Sequence, residues 1–447
     1  MGLIGNMKRG NIKLHTFNTY LQGGAAYGAI NTFENLISTY PEIDGTFFYM
    51  QDLSNGQKLQ KLTKEKYAQR HPLSLNTSIA KRLLHSIKAR KHYKNIHKSL
   101  KQRPKDYEQF STPHQYYSTP YNWFAKQLPA IIHLNWIAEW IDYESFFNSI
   151  PNHIPIVWTL HDQNPMTAGC HYSWECQKYL SQCSQCPQLG PKDKSDLARI
   201  GHKIKANALK EKNLHIVGDS EWITHEAEKS TILRHAKSFQ TIHYSIDFNI
   251  FKPTISKQQT RQKFNIPENA FVLCFGAADF TNRRKGFNEL IQALEQINKE
   301  TTNVHCLVFG AGSLLLNQTN LPPIHLTGHL TPKELSEVYG ASDIFVIPSL
   351  HEAFGLTAIE AMACGTPVIG FNTGGIPDSV KAGKTGWLVE PGNSQDLAHH
   401  ILKLTNNPAS IRALSTSCFL YTQQNFSQQY EADQYKQVFD NILNNNY

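Results

Sequence analysis

The chain has 447 residues, of which 40% are apolar and 18% are charged, and its formal net charge is +8. This length is enough for two or three domains of ordinary size, and the composition is that of a soluble globular protein. No apolar run approaches the ~20 residues that span a bilayer, and residues 1–9 lack the apolar core of a secretory signal. We therefore expect a cytoplasmic protein with reduced thiols.

In its first half, the chain alternates short apolar runs with helical and loop spans. Residues 11–17 predict a strand, Gly23 and Gly24 a glycine turn, and residues 25–37 a helix. Short apolar runs separated in this way are typical of a parallel sheet that is buried on both faces. Further strands of this sheet are predicted at residues 130–134, 154–160, 214–217 and 241–243.

A basic segment, residues 58–105, contains 15 Lys or Arg and a single acidic residue, Glu65. Within it, residues 79–100 place apolar side chains among the cations, which is an amphipathic pattern. The segment could lie on an anionic membrane surface, where each cation contributes ~1 kcal/mol, or it could be the solvated helical face of a variable insertion. Sparse aromatic residues and the lack of a recognised motif do not favour nucleic acid.

A second series of strands and helices begins after residues 251–253. Together the two series predict an α/β fold with two doubly wound, Rossmann-like domains and a hinge near residues 244–254. The strands of the second series are predicted at residues 271–275, 304–309, 324–326, 344–347, 368–371 and 387–389, with helices at 288–297 and 397–404 among those between them.

The most informative stretch of the chain begins at Glu352. A helical pattern over residues 356–363 is ended by Gly365 and Pro367, so that Glu352 just precedes the helix and Glu360 lies inside it. Free N–H groups and the positive end of the helix dipole favour an anion at the helix start. A phosphate seat flanked by two carboxylates that can bind hydroxyls suits a nucleotide-sugar. The residues at the helix start are Phe354, Gly355, Leu356 and Thr357.

This stretch and its surroundings resemble the C-terminal half of retaining glycosyltransferases of family 4. The matching segments are residues 341–343, 348–349, 352–355, 360–367, 374–375 and 385–386. In that family the first motif glutamate lies near the donor sugar hydroxyls and the second binds the nucleotide ribose. The resemblance implies these roles for Glu352 and Glu360, and it implies that the backbone of residues 354–357 holds the diphosphate.

The same family has the GT-B fold, in which two Rossmann-like domains face an interdomain cleft. By this resemblance, residues 1–245 form the acceptor-side domain and residues 246–425 form the nucleotide-sugar-binding domain. Residues 426–447 are then expected to include a helix that crosses back to the first domain.

The glycine turn of the first half is a candidate phosphate contact. Gly23 and Gly24 open a helix after the first predicted strand, so the backbone could approach an anion closely. Many α/β turns contain paired glycines, but this one resembles the Gly-Gly-Ala-Ala loop of capsule and exopolysaccharide glycosyltransferases. Tyr27 stands where many of those relatives carry Arg, so the contact would rest on backbone groups.

A basic loop after the first strand of the second series offers side-chain contacts to the diphosphate. The Lys285–Gly286 pair resembles the Lys-Gly that follows the diphosphate-binding residue of the family. The family's earlier Arg falls on Asp279, so Arg284 is the candidate substitute. The alternative is a solvated turn.

His161 ends a predicted strand of the first half, where it could hydrogen-bond a sugar hydroxyl or a phosphate, or could be structural. Residues 158–189 resemble a segment of colanic-acid-type glycosyltransferases, which implies that His161 sits beside the donor sugar. The same segment holds four cysteines in 17 residues, whose number and pairing suit a structural tetrahedral zinc. Free thiols or a redox-sensitive pair remain open. These cysteines are Cys170, Cys176, Cys183 and Cys186.

Our leading interpretation is a retaining sugar transferase with a UDP- or GDP-sugar donor and a glycan acceptor, lipid-linked and met at the inner membrane face. No Asp-x-Asp sequence occurs. We therefore expect Lys285, its neighbouring Arg and helix ends, rather than a required metal cofactor, to neutralise the diphosphate. His161 and Glu352 are the expected catalytic residues. The alternatives are a nucleotide-sugar epimerase of the same architecture and a non-catalytic nucleotide-sugar-binding protein.

Overall fold

The computed structural model describes residues 11–50, 67–69, 96, 100, 101, 103, 104, 107, 109–115, 118–190, 196–253, 257–277, 280–310 and 320–444. The chain divides into two compact units. The first unit comprises Met1–Asp219, Ile223–Ile242 and Glu431–Tyr447, and the second comprises Ser220–Trp222 and His243–Tyr430. Each unit is built around its own parallel β-sheet.

The sheet of the first unit has seven strands. They are β1 (Ile12–Asn18), β2 (Ile43–Tyr49), β3 (Tyr67–Gln69), β4 (Ile131–Leu134), β5 (Pro155–Leu160), β6 (Asn213–Gly218) and β7 (Ser238–Thr241). Their order in the sheet is β3-β2-β1-β4-β5-β6-β7, and every neighbouring pair is parallel. All four residues of β4 are buried, as expected of a strand that is covered on both faces.

Helices cover the sheet of the first unit. They include α1 (Gly24–Thr39), α2 (Tyr143–Asn148), α3 (Leu197–Leu209) and α4 (Glu221–Lys229). Residues of the last helix pack into the same core, where Tyr435 and Phe439 join apolar side chains of β1 and β4. The buried Glu431 carboxylate of that helix accepts hydrogen bonds from Thr32 Oγ1 at 2.6 Å and from Asn35 Nδ2 at 3.0 Å.

The sheet of the second unit has six parallel strands. They are β8 (Phe271–Ala277), β9 (Val304–Gly310), β10 (Ile324–Gly328), β11 (Ile344–Ile347), β12 (Val368–Phe371) and β13 (Gly386–Val389). Their order is β10-β9-β8-β11-β12-β13. Two apolar clusters fill the space between this sheet and its helices.

The helices of the second unit alternate with its strands. They are α5 (Lys257–Lys263), α6 (Phe287–Glu300), α7 (Pro332–Ala341), α8 (Leu356–Ala363), α9 (Ile376–Ser379), α10 (Ser394–Thr405) and α11 (Pro408–Asn425), followed by the last helix, α12 (Gln428–Leu443). No helix in the described ranges is both long enough and apolar enough to cross a membrane.

Each sheet has one point at which the strand order reverses direction. In the first unit this point lies between β1 and β4, and in the second it lies between β8 and β11. In open parallel sheets, ligands bind outside the carboxyl ends of the strands at such a point. The loops that follow these four strands are therefore the expected positions of a ligand site.

The predicted α/β fold with two Rossmann-like sheets is confirmed. Most predicted strands agree with the structure to within two residues, but the strand predicted at residues 241–243 was wrong. The strand β7 covers Ser238–Thr241, whose mostly polar residues pair with β6. The apolar Ile242, on which the prediction depended, lies just after the strand. The strand β2 was not predicted, since Asp44, Gly45 and Thr46 interrupt its apolar pattern. The basic segment, residues 58–105, lies mostly outside the described residues.

Candidate functional site

The loop after β11 leads into α8 through a glycine with a left-handed backbone. Gly355 is the N-cap of α8 and has a φ of 94°, a value that residues with a Cβ rarely adopt. No side chain caps this helix end. Backbone N–H groups of the first helical turn therefore remain available to an anion. Phe354 is buried and stacks on His243, whereas Leu356 and Thr357 are half-buried, so Phe354 can offer a ligand only its backbone.

Glu352, in the same loop, is held by two cations. Its Oε2 atom lies 2.6 Å from Lys285 Nζ and 3.3 Å from Arg284 Nη1, and it accepts a hydrogen bond from Ser349 Oγ at 3.2 Å. Burial acts to raise the pKa of the Glu352 carboxyl, but Lys285, Arg284 and these hydrogen bonds lower it to about 2. The structure thus brings together three of the residues that the sequence predicted for donor binding. The role of Ser349, which lies two residues after the end of β11, was not predicted.

The two cations reach Glu352 because the turn that carries them packs against the loop after β11. Arg284 and Lys285 lie in a single 3-10 turn, Arg283–Lys285, and the following Gly286 has a φ of 64°. A Cβ at Gly286 would lie 1.6 Å from the carbonyl oxygen of Pro348, so only glycine fits there. The backbone N–H of Leu350 donates to the Arg284 carbonyl at 2.7 Å, which closes the contact.

Glu360, the second motif carboxylate, has a very different environment. It is 9% exposed, on the buried side of α8, and accepts one hydrogen bond from Tyr339 Oη at 3.0 Å. Within the described part of the chain, no Lys or Arg forms an ion pair with it. Burial raises the pKa of the Glu360 carboxyl to about 7, against the lowering effect of the Tyr339 hydrogen bond. The two carboxylates of one motif are therefore shifted in opposite directions.

In the first unit, His161 follows the carboxyl end of β5. Its Nε2 atom lies 3.0 Å from Asn135 Oδ1, and burial lowers the pKa of the imidazole to about 4, so the ring is neutral at physiological pH. Asn135 follows β4, one of the strands at the reversal of strand order. Its Nδ2 group is buried and has no hydrogen-bond partner among the described residues. Both residues line a small pocket, together with Trp136 and Asp162.

Asp162 is the centre of a buried hydrogen-bond network beside His161. Its Oδ2 atom accepts from Trp136 Nε1 at 2.8 Å and from His171 Nδ1 at 2.7 Å. His171 Nε2 in turn lies 2.8 Å from Ser111 Oγ. Burial acts to raise the pKa of Asp162, but His171 and the hydrogen bonds lower it, so the group is a carboxylate. The network was missed from the sequence because its members lie up to 60 residues apart along the chain.

Gly23 and Gly24 lie at the start of α1, as the sequence predicted. Gly23 has a φ of 96° and is the N-cap of the helix, and no side chain caps this end. Both glycines are exposed, and a Cβ on either would meet no atom within 4 Å. Backbone N–H groups are thus accessible at this terminus too.

The four cysteines that the sequence singled out all line one cavity in the first unit. Cys170 and Cys183 are buried, and Cys176 and Cys186 are half-buried. In their present positions they do not form a metal-binding set, and neither does any other group of three His, Cys, Asp or Glu in the described residues.

Comparison with known proteins finds a family match within the second unit. Residues 256–417 match the family model described as glycosyl transferases group 1. A D-inositol 3-phosphate glycosyltransferase of Rhodococcus opacus is 43% identical over 115 residues, which are 26% of this chain and 24% of the relative. D-inositol 3-phosphate glycosyltransferase 1 of Catenulispora acidiphila is 33% identical over 190 residues, which are 39% and 45% of the two chains. The chain thus spans less than half the length of these curated relatives.

Two solved structures have a similar fold and match nearly all of the chain. Sucrose-phosphate synthase from Thermosynechococcus elongatus has a TM-score of 0.66 at 18% identity and covers 97% of this chain, with 100% of its own chain matched. Anabaena Alr3699/HepE in complex with UDP-glucose has a TM-score of 0.60 at 17% identity, with 96% and 99% of the two chains covered. At these identities the likeness shows the fold alone, and that fold is GT-B.

Proposed function

We propose that this chain is a glycosyltransferase that moves a sugar from a nucleotide diphosphate sugar, with UDP or GDP as the nucleotide, to a glycan acceptor with retention of anomeric configuration. One observation carries the proposal. The region that matches group 1 glycosyltransferases contains a helix start without a side-chain cap. Two carboxyl groups flank it, Glu352 and Glu360, and their pKa values are shifted in opposite directions. Such a set supplies partners for a diphosphate and for two groups of hydroxyls.

In the second unit, each proposed role follows from the local chemistry. Backbone N–H groups at the start of α8 would bind the diphosphate, assisted by the Lys285 ammonium, which is one-third exposed. Glu352, a carboxylate at all physiological pH values, would accept hydrogen bonds from sugar hydroxyls. Glu360 would accept from the ribose hydroxyls. Arg284 is more buried than Lys285, so we assign it to holding Glu352 and only secondarily to phosphate binding.

In the first unit, His161 and Asn135 are the groups that we assign to the transferred sugar. The neutral His161 ring donates from Nε2 to Asn135 Oδ1, which leaves the Asn135 Nδ2 group as a buried donor for a ligand oxygen. The carboxylate of Asp162 would fix the orientation of this loop rather than contact the sugar. The accessible backbone at Gly23 and Gly24 would add a phosphate or hydroxyl contact.

For the reaction, we propose that no side chain acts as a dedicated general base. The bond between the anomeric carbon and the diphosphate oxygen breaks, and the acceptor oxygen bonds to that carbon on the same face. The acceptor proton then passes to the departing diphosphate oxygen. Lys285 and the start of α8 would stabilise the negative charge that develops on this oxygen, so that the reaction needs no divalent metal as an obligatory partner.

For the acceptor, we propose a lipid-linked glycan of polysaccharide biosynthesis, met at the inner face of the membrane. The support is the sequence of the basic segment, residues 58–105, and the likeness of residues 158–189 to colanic-acid-type enzymes of family 4. We do not assign to this chain the acceptor that is named for the inositol phosphate glycosyltransferases, because the matched stretches cover less than half of those proteins.

The test is ligand-dependent thermal stability of the purified chain with UDP, GDP, ADP and their sugar conjugates, with and without Mg²⁺. A ligand at 100 times its Kd stabilises the native state by ~2.7 kcal/mol, which is readily measured. We expect one nucleotide series to stabilise the protein regardless of Mg²⁺, and Glu360→Ala to reduce the effect. Glu300→Ala, at an exposed position on the end of α6, is the matched control.

Product analysis separates the alternatives. An epimerase would convert the nucleotide sugar without an acceptor, whereas a transferase leaves it intact or slowly hydrolyses it. A binding protein would be stabilised by the ligand and would turn over nothing with any acceptor. Absence of stabilisation by every nucleotide would refute the donor-site assignment.

A further inference from the structure

The loop between β5 and α3 is unusually long for a segment inside a compact unit. Its described part, residues 161–190, contains only two 3-10 turns, Asn164–Met166 and Lys178–Leu180, as regular structure. Loops beyond ~15 residues without secondary structure are uncommon unless they are functional or held by additional links. Half of the eight cysteines of the chain lie in this loop.

Four sulfurs from different turns of this loop face one cavity. Cys170, Cys176, Cys183 and Cys186 all line one small pocket. The thiol of Cys170 lies within electrostatic range of the other three. Since Cys176 and Cys186 are half-buried, an ion could enter from solvent.

The last of these cysteines lies in a tight turn that closes the loop. The Leu189 N–H donates to the Cys186 carbonyl oxygen at 3.1 Å, and the Gly190 N–H donates to the Pro187 carbonyl oxygen at 3.2 Å. The turn ends at Gly190, whose φ is 77°. These hydrogen bonds fix the backbone that carries the Cys186 side chain.

A buried lysine lies beside these sulfurs. Lys205 of α3 is fully buried, which is rare for lysine, and its side-chain nitrogen donates hydrogen bonds to the carbonyl and side-chain oxygens of Asn164. Burial lowers the pKa of this ammonium to about 7, although Cys170, Asp162 and Cys183 act to raise it. Four thiolates around Zn²⁺ carry a net charge of −2, and a buried ammonium would offset part of it.

We propose that Cys170, Cys176, Cys183 and Cys186 bind one structural Zn²⁺. Tetrahedral sulfur coordination suits zinc, with Zn–S bonds of about 2.3 Å, so the loop must contract around the ion. The ion would fix the loop that presents His171 to Asp162, because Cys170 directly precedes His171. This inference does not depend on the proposed transferase activity.

The test is the zinc content of the full chain after purification from zinc-supplemented cells under reducing conditions. It is measured by inductively coupled plasma mass spectrometry. We expect one equivalent of zinc in the wild-type protein and in Cys306→Ala, a control in the core of the second unit. We expect loss of that zinc in Cys176→Ser and in Cys186→Ser, the two half-buried positions least apt to disturb packing.

A measurement on the wild-type chain guards against variants that fail to fold. Removing the zinc with a thiol-reactive mercurial and replacing it with Co²⁺ should produce the absorption bands of tetrahedral cobalt thiolate. Three results would overturn the inference: wild-type protein without zinc, zinc retained in the Cys176→Ser/Cys186→Ser double variant, or disulfides joining these cysteines in the freshly purified protein.

Discussion

Replacement of the Glu360 carboxylate by an isosteric amide should stabilise the protein at alkaline pH. The pKa of Glu360 rises from 4.5 in the unfolded chain to about 7 in the folded one. Since each pKa unit corresponds to about 1.36 kcal/mol, the ionised folded state is less stable by about 3 kcal/mol. This penalty is absent below pH 4.5, grows between pH 4.5 and 7 and is complete above pH 7. Glu360→Gln removes the charge and keeps a partner for Tyr339.

The magnitude is large enough for calorimetry. For a domain of roughly the size of the second unit, 1 kcal/mol shifts the melting temperature by roughly 2–4 °C. We therefore expect Glu360→Gln to melt roughly 6–12 °C above the wild type at pH 8 and within ~3 °C of it at pH 5, where less than ~1 kcal/mol of the penalty has developed. Hydrogen exchange of peptides from β11 and α8 would assign the transition to the second unit.

The other motif carboxylate provides a matched control with the opposite sign. The pKa of Glu352 falls from 4.5 to about 2, so its ionisation stabilises the fold above pH 4.5, and this contribution is lost only as the pH falls towards 2. Glu352→Gln should therefore destabilise the protein by about 3 kcal/mol at both pH 5 and pH 8. The reasoning is refuted if Glu360→Gln melts at or below the wild-type temperature at pH 8, or if its gain is the same at pH 5.

Three further predictions follow from the same geometry. If the Glu360 carboxylate binds ribose, the nucleotide Kd measured by calorimetry should fall as the pH rises through about 7, and Glu360→Gln should flatten this profile. Gly286→Ala should destabilise the protein by at least ~2 kcal/mol more than Gly383→Ala in urea unfolding, because both glycines have positive φ but only Gly286 faces a backbone oxygen. Asn135→Ala should lower kcat by roughly tenfold to hundredfold in a transfer assay, because it removes the Nδ2 donor that we assign to the sugar. It should also lower the melting temperature, because the buried His161 loses its hydrogen-bond acceptor, Asn135 Oδ1. An unchanged kcat would remove Asn135 from the site.

The fold was largely predictable because parallel strands that are buried on both faces appear in the sequence as continuous apolar runs. The β11 and β12 strands are continuous runs of Ile, Val, Phe and a single glycine, and their predicted bounds coincide with the observed ones. The edge of a sheet carries a weaker signal. The β7 strand reads Ser-Phe-Gln-Thr, and only its pairing with β6 identifies it as a strand.

The environment of the site residues could not be predicted in the same way. The sequence assigned Glu352 and Lys285 to different parts of a donor, yet the structure joins them at 2.6 Å across 67 positions of the chain. The ion pair requires Gly286 to pack against the backbone of Pro348, and no local sequence pattern predicts such a contact. The opposite pKa shifts of Glu352 and Glu360 likewise depend on which cations the fold brings near, and not on the motif itself.

The ion pair between Glu352 and Lys285 suggests how the proposed donor site avoids leaving either an unpaired carboxylate or an unpaired ammonium when no ligand is bound. In the absence of a ligand, the partly buried Lys285 ammonium and Glu352 carboxylate neutralise each other, so neither is left unpaired. An incoming diphosphate would compete for Lys285, because it carries more charge than a carboxylate. Glu352 would then keep Arg284 as its partner and have lone pairs free for sugar hydroxyls. Binding of the phosphate and recognition of the sugar would thus be coupled through one lysine, and Lys285→Met should weaken nucleoside diphosphate binding while leaving the affinity for the free nucleoside unchanged.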